Sequence, residues 1–173
     1  MYDRILAHPL VIFLPFLLAL IYAVVFGTCS KVYFRKMLYF PALYVVVGGV
    51  IFVIYNAHKF DGISIFASAL FGALLSGALL ACVCTYGLLV GLSADFRLSG
   101  NYLQNHHPFL PLAGVGIITV AELLVWYQSL IRWSMVEPAF SWSVFLDGAL
   151  IGFITGHGFA LFQIGKNLQL QQK

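Results

Sequence analysis

Residues 62–94 read GISIFASALFGALLSGALLACVCTYGLLVGLSA, and these 33 positions contain no charged side chain. A helix of about 20 apolar residues is enough to cross the roughly 30 Å hydrocarbon core of a bilayer. A second turn inside this stretch would have to fall within residues 69–84, which contain neither proline nor charge. The stretch therefore predicts one long transmembrane helix that is tilted or protrudes from the bilayer.

The composition of the whole chain also indicates a membrane protein. Of its 173 residues, 62% are hydrophobic and only 9% are charged, whereas soluble domains carry about 25% charged residues. The high apolar content excludes a disordered chain, and the 3 cysteines exclude a disulfide scaffold. The 16 glycines show no three-residue period, which excludes a collagen-like chain.

Four further apolar intervals accompany this stretch. A transmembrane β-barrel would instead show segments of about 10 residues that alternate in polarity, and these intervals do not alternate. We expect an all-α fold in which residues 1–173 form a single transmembrane domain with no soluble domain. The predicted helices of this five-span bundle cover residues 6–27, 38–56, 63–92, 110–132 and 142–165. Residues 28–37, 56–62, 93–109 and 134–141 are expected to be short polar loops.

The first span also has features of a secretory signal peptide. Arg4 precedes the apolar run, and residues 25–27 loosely suit a cleavage site. The apolar part of a signal peptide usually has about 7 to 15 residues, and the run over residues 9–27 is longer. We therefore expect this segment to remain as the first span.

The distribution of lysine and arginine predicts the orientation, because cytoplasmic loops carry an excess of these residues. Five spans place the two termini on opposite sides of a cell membrane, by this interpretation a bacterial inner membrane. The charge bias predicts that the N-terminus is outside and the C-terminus is in the cytoplasm. The predicted partner is the lipid bilayer, and nothing resembles a nucleic-acid site. The predicted cytoplasmic side collects Lys31, Arg35, Lys36, Arg97, Lys166 and Lys173, and the other side collects Arg4, Lys59 and Arg132.

Small side chains recur every four residues in the third and fifth spans. Helices in lipid associate by close van der Waals contact, which small residues permit. We expect these two helices to make the tightest contacts, within one chain, across a homo-oligomer or in a larger membrane complex. The predicted packing rows are Gly148, Gly152, Gly156 and Ala160 in the fifth span, and Ala69, Ala73, Gly77 and Ala81 in the third.

Three ionisable residues lie inside predicted spans, where a charged group costs about 2.5 to 3.5 kcal/mol on insertion scales. Glu122 lies near the middle of the fourth span, while Asp147 and His157 lie on the fifth, opposite the glycine row. Because a short loop joins the fourth and fifth spans, we expect them to be antiparallel neighbours, and Glu122 could face either Asp147 or His157. Its helix face also carries the polar or amphipathic residues Thr119, Trp126 and Ser129.

Each of these residues has a structural and a functional interpretation. Glu122 is either a carboxyl group kept protonated by burial or a group that handles protons or cations. Asp147 lies nearer the interface, where it could reach water. His157 has room for a ligand between two glycines, although a hydrogen bond to a carbonyl oxygen is the more common arrangement for a lone histidine.

The remaining candidate residues predict no metal site, cofactor or soluble-type enzyme. His106 and His107 lack further ligands at metal-binding spacing. Cys82 and Cys84 point about 200° apart on one helix and cannot form a redox pair with each other. The chain contains none of the common catalytic or nucleotide-binding motifs. A haem or quinone site at His157 would lack a second buried histidine.

Residues 69–77 (ALFGALLSG), followed by residues 97–100 (RLSG) and by Pro111 opening an apolar helix, resemble a family of small uncharacterised bacterial inner-membrane proteins. The resemblance covers roughly the second half of the chain. It implies a helical membrane fold but no activity, because the family has none assigned. The fourth helix of that family tends to carry a basic residue about where Glu122 stands, so the resemblance implies no shared mechanism there.

Two functional hypotheses follow from these patterns. The first is a small non-enzymatic helical subunit or homo-oligomer that packs through its Gly/Ala/Ser rows. The alternative is a proton- or cation-linked small transporter or channel that uses Glu122 with Asp147 and His157.

Overall fold

The computed structural model describes residues 9–28, 31–46, 65–104, 109–131 and 136–172. Most of these residues are helical, which agrees with the predicted all-α class. Residues 47–56 of the second predicted span lie outside the described residues. The helices are α1 (Pro9–Thr28), α2 (residues 39–46), α3 (Ile65–Gly91), α4 (Phe109–Ile131) and α5 (Val136–Gln171).

Helix α5 is longer than predicted at both ends. It begins at Val136 instead of residue 142 and ends at Gln171 instead of residue 165. The prediction of a loop over residues 134–141 is therefore wrong for most of its length. Pro138 is compatible with the longer helix because it lies in the first turn, where backbone N–H groups have no partner within the helix. An apolar interval locates a membrane span, but the helix that contains the span can continue into polar sequence at either end.

Two of the predicted loops contribute to a small antiparallel sheet. Strand β1 (Lys31–Tyr33) comes from the first loop, and β2 (Arg97–Ser99) and β3 (Tyr102–Gln104) come from the third. The strand order is β1-β3-β2. Gly100, with φ of 62°, lies in the turn between β2 and β3 and adopts the left-handed conformation that glycine tolerates best. The prediction that these segments are loops without secondary structure was therefore wrong. A strand of three residues is too short to show an alternating pattern of polarity in the sequence.

Helix α5 is the central element of the described residues. Its most extensive contact is with α3, and it also contacts α4, α1 and the sheet. Near the sheet, a core cluster buries Phe34, Phe96, Leu103, Leu161 and Ile164, among others. A second cluster, further along α5, buries Tyr22, Tyr44, Val115, Leu150 and Ile154, among others.

Two stretches of the described residues are long and apolar enough to cross a membrane. They lie in Phe71–Gly91 of α3, where 17% of an 18-residue apolar segment is buried, and in Trp142–Gln171 of α5, where 67% of such a segment is buried. Helix α3 is therefore mostly on the outside and α5 mostly on the inside. Shorter apolar helices occur at Leu17–Phe26 and Phe109–Val125.

The basic residues of the first loop, the third loop and the C-terminal part of α5 share one end of the molecule. The sheet joins the two loops, and the guanidinium of Arg35 donates a hydrogen bond to Gln169 Oε1 over 3.4 Å. The predicted grouping of these residues on one side of a membrane is compatible with this arrangement. The residues described at this end, hereafter the basic end, are Lys31, Arg35, Lys36, Arg97 and Lys166.

Candidate functional site

Three glycines of α5 bring this helix against the backbone of α3. Gly148, Gly152 and Gly156 are all buried. A Cβ atom at these positions would meet backbone atoms, including the carbonyl oxygens, of Leu74, Ala78 and Cys82 respectively. Only glycine permits so close an approach, which in turn fixes how α5 presents its other faces to α1, α2 and α4.

The other predicted packing residues occupy less uniform positions. Gly77 of α3 is buried against the backbone of Phe145, and Ala160 of α5 is fully buried in the cluster near the sheet. Ala73 and Ala81 are half-buried. Ala69 belongs to α3, but its side chain lies outside the described ones.

Glu122 contacts α5 through a hydrogen bond. Its side chain is buried, and the hydroxyl of Ser143, which is also buried, donates to Glu122 Oε1. Ser143 and Asp147 are four residues apart and therefore lie on one face of α5. Glu122 thus faces the part of α5 that carries Asp147 and not the part that carries His157.

Asp147 interacts with groups on two other helices. Its half-buried carboxyl group lies within electrostatic range of Glu122 on α4 and of Tyr44, a buried residue of α2. We call Tyr44, Glu122, Ser143 and Asp147 the acidic cluster. Three helices meet at this point, and two of them each contribute one carboxyl group.

His157 belongs to a separate buried site. Its Nδ1 lies 2.6 Å from the Tyr22 hydroxyl of α1, and both side chains are fully buried. The ring of Phe153 stacks on the imidazole, with 6.2 Å between centroids. Ser143 is 14 residues away, or about 21 Å along the helix axis. The expected carbonyl partner is thus replaced by a tyrosine hydroxyl, and the structure does not bring His157 to the other two ionisable residues.

Two members of the acidic cluster were not identified from the sequence. Ser143 could have been found, because it precedes Asp147 by one helical turn. Tyr44 carries no such signal, since its position depends on how α2 packs. Thr119, predicted to share a polar stripe with Glu122, donates its hydroxyl to the Val115 carbonyl of its own helix over 2.8 Å. The side chains of Trp126 and Ser129 lie outside the described ones.

The described ranges contain no group of three His, Cys, Asp or Glu residues that could hold a metal ion. Cys82 and Cys84 are free thiols. His106 and His107 lie outside the described residues. The chemistry available at the acidic cluster is therefore that of two carboxyl groups, a hydroxyl and a phenol.

Comparison of the chain with protein-family models, curated proteins and solved structures gives no match. The resemblance to small inner-membrane proteins therefore stays a prediction. The geometry of the described residues is what bears on function.

Proposed function

We propose that the chain is an integral membrane protein that crosses the bilayer five times. The outer surface of α3 supports this proposal, because most of a long apolar stretch lies exposed there. The core helix of a soluble protein would be mostly buried. The first and third loops lie at one end of the molecule, as they would with two spans between them.

The proposed orientation places the basic end in the cytoplasm and the N-terminus outside, because positively charged loops stay on the cytoplasmic side. A bacterial inner membrane is the location that the resemblance and this charge bias favour. Reporters that work only in the cytoplasm, fused separately to each terminus, test the topology. We expect signal from the C-terminal fusion alone; signal from both fusions or from neither contradicts five spans.

We propose further that the chain is a proton- or cation-linked small transporter or channel whose working group is the acidic cluster. Glu122 lies 13 residues after Phe109 and 9 before Ile131, near the middle of α4. An ionisable group at that depth costs about 2.5 to 3.5 kcal/mol. A polar contact between membrane helices returns about 0.6 kcal/mol on average and at most about 1.7. The hydrogen bond from Ser143 by itself offsets only part of this cost, and ionisable groups inside a membrane typically mark proton or ion pathways.

The second carboxyl group strengthens this proposal. Two carboxylates in electrostatic range repel each other, and a bound proton or cation relieves that repulsion. Glu122 and Asp147 come from different helices, so the occupancy of the cluster would alter the fit between α4 and α5. His157 is not part of this proposal, because its site lies about 15 Å from Asp147 along the axis of α5.

The packing-subunit hypothesis loses one of its arguments. Of the Gly/Ala/Ser rows on which it depended, the glycine row of α5 is covered by α3 of the same chain. A row that is already covered offers no surface to a second copy or to another subunit. A partner would have to bind elsewhere on the bundle.

The decisive experiment compares Glu122→Gln with Asp95→Asn in proteoliposomes that contain a pH-sensitive dye. Both variants remove one carboxylate, but Asp95 lies in an exposed turn at the basic end. We expect flux driven by a pH or cation gradient to fall to the level of empty liposomes in Glu122→Gln and to persist in Asp95→Asn. Equal flux in the wild type and Glu122→Gln overturns the proposal, as does the absence of flux from the wild type.

A further inference from the structure

The small sheet at the basic end has two different faces. Leu103 of β3 is buried in the core cluster, and Leu98 of β2 packs against it. Neighbouring residues along each strand point the other way, and Arg97, Ser99 and Tyr102 are exposed. The sheet therefore packs against the helical core with one side and presents the other, here called the outer face, to its surroundings.

The strand register places two cations in one row of the outer face. Lys31 of β1 and Arg97 of β2 both pair with Gln104 of β3, which lies between them. Directly opposed residues in such a sheet have Cβ atoms about 5 Å apart. The Cβ atoms of Lys31 and Arg97 are thus about 10 Å apart, with the Gln104 side chain between them, although 65 residues of sequence separate the two.

The adjacent row adds aromatic rings and a hydroxyl. Tyr33 and Ser99 both pair with Tyr102, and the two tyrosine rings meet edge to face with centroids 5.6 Å apart. The ammonium of Lys36 lies 5.8 Å from the centroid of the Tyr33 ring. The outer face thus combines two cations, hydrogen-bond donors and two phenol groups within two rows of the sheet, and Lys36, from the turn that follows β1, adds a third cation beside Tyr33.

We propose that the outer face docks the phosphate headgroup of an anionic phospholipid in the surrounding leaflet. The proposal rests on the proposed membrane placement of the chain. Lysine and arginine near a bilayer surface attract anionic headgroups, and tyrosine favours the interface between headgroups and acyl chains. Asp95 is the one carboxylate among the described residues of the basic end, so the charge of this surface complements an anion.

Position favours a lipid over a soluble anionic partner. Strand β1 begins three residues after α1 ends, and β2 begins six residues after α3 ends. In a chain that crosses a bilayer, these short connections hold the sheet at the depth of the headgroups. The exposed apolar surface of α3 would place acyl chains beside it.

The test titrates the full chain in neutral detergent with phosphatidylglycerol and with phosphatidylcholine of the same acyl chains. Native mass spectrometry measures the bound lipid. We expect tighter binding of phosphatidylglycerol. The double variant Lys31→Gln/Arg97→Gln should lose about 30-fold in affinity for it, since each cation near the surface contributes about fivefold.

Two further variants separate the geometry of the sheet from charge alone. Arg35→Gln/Lys166→Gln removes two exposed cations of the basic end that lie outside the sheet, and we expect a change below about threefold. Lys31→Arg/Arg97→Lys keeps both charges in the row and should retain binding, which also guards against loss of folding as the explanation. Equal losses in the two neutralised variants overturn the proposal, because they indicate a diffuse charge effect.

Competition experiments identify the source of the anion. Inorganic phosphate that displaces phosphatidylglycerol at equal concentration would assign the outer face to a soluble anion and overturn the proposal. Tighter binding of a single-stranded oligonucleotide would likewise overturn it. The terminal reporters are measured on the wild-type sequence, so the expected topology without a preference for phosphatidylglycerol counts against this inference alone.

Discussion

Helix α5 carries two buried polar sites that differ in chemistry. At one, His157 meets Tyr22 among aromatic rings, with Phe26 and Phe40 at 4.6 and 4.9 Å from the tyrosine ring. At the other, Ser143 meets Glu122 within range of a second carboxyl group, that of Asp147. The first pair can satisfy its hydrogen bond with both partners neutral. The second places two acidic groups close together.

This difference in chemistry predicts a different role for each buried site. A neutral pair that is satisfied within an apolar core fixes how two helices pack, here α1 against α5. An acidic pair raises the energy of the same core unless a proton or cation is bound. Substitutions at the first site should therefore change stability without changing flux. Substitutions at the second should change flux more than stability.

The largest effect on stability is expected at the contact between Gly152 of α5 and the backbone of α3, because this contact positions the helix that carries both sites. Gly152→Ala adds a Cβ atom that would lie 2.7 Å from the carbonyl carbon of Ala78. The helices must separate to accommodate it, and we expect a loss of about 1 to 3 kcal/mol in the free energy of unfolding. Denaturant titration of the protein in detergent, followed by circular dichroism, measures this loss.

Gly87→Ala is the matched control for this prediction. Gly87 also lies within a helix, α3, but a Cβ atom there meets nothing within 4 Å. Alanine is better than glycine in a helix by about 1 kcal/mol, so Gly87→Ala should be neutral or stabilising. Two destabilised variants, or two neutral ones, would show that the backbone contact of Gly152 does not control the packing of α3 on α5.

The next effect concerns the neutral site alone. Tyr22→Phe removes the hydroxyl that meets His157 Nδ1 and leaves the buried ring nitrogen without that partner. We expect a loss of about 1 kcal/mol in unfolding free energy and no change in flux. Tyr127→Phe, the same substitution at an exposed position of α4, should leave both quantities unchanged. A loss of flux in Tyr22→Phe would place the neutral site in the transport path.

Periodicity and hydropathy predicted the helices and one of the contacts between them. Apolar intervals located the described helices, and the four-residue spacing of Gly148, Gly152 and Gly156 indicated a close helix contact. Whether that contact lay within one chain or between two copies could not be read from the pattern. The length of α5 was underestimated because polar residues after 165 end an apolar interval without ending a helix.

The candidate site was only partly predictable, because its pairs depend on tertiary structure. Glu122 was identified by its cost in lipid, but its contact with Ser143 depends on the rotation of α4 against α5. His157 and Tyr22 are separated by 135 residues, and no local pattern connects them. The row of Lys31, Gln104 and Arg97 likewise depends on the register of three short strands that hydropathy does not reveal.

The smallest effect on stability is expected at the acidic cluster, and it distinguishes the two sites most clearly. Ser143→Ala removes the donor to Glu122, which should cost only about 0.6 kcal/mol, the average for a hydrogen bond between membrane helices. The same variant changes the group beside the proposed working carboxyl, so the rate of flux in proteoliposomes should fall while the fold persists. Ser143→Thr keeps the hydroxyl and should restore the rate. If Ser143→Ala lowers stability as much as Tyr22→Phe and leaves flux unchanged, both sites serve packing, and the distinction between a neutral and an acidic role on α5 is wrong.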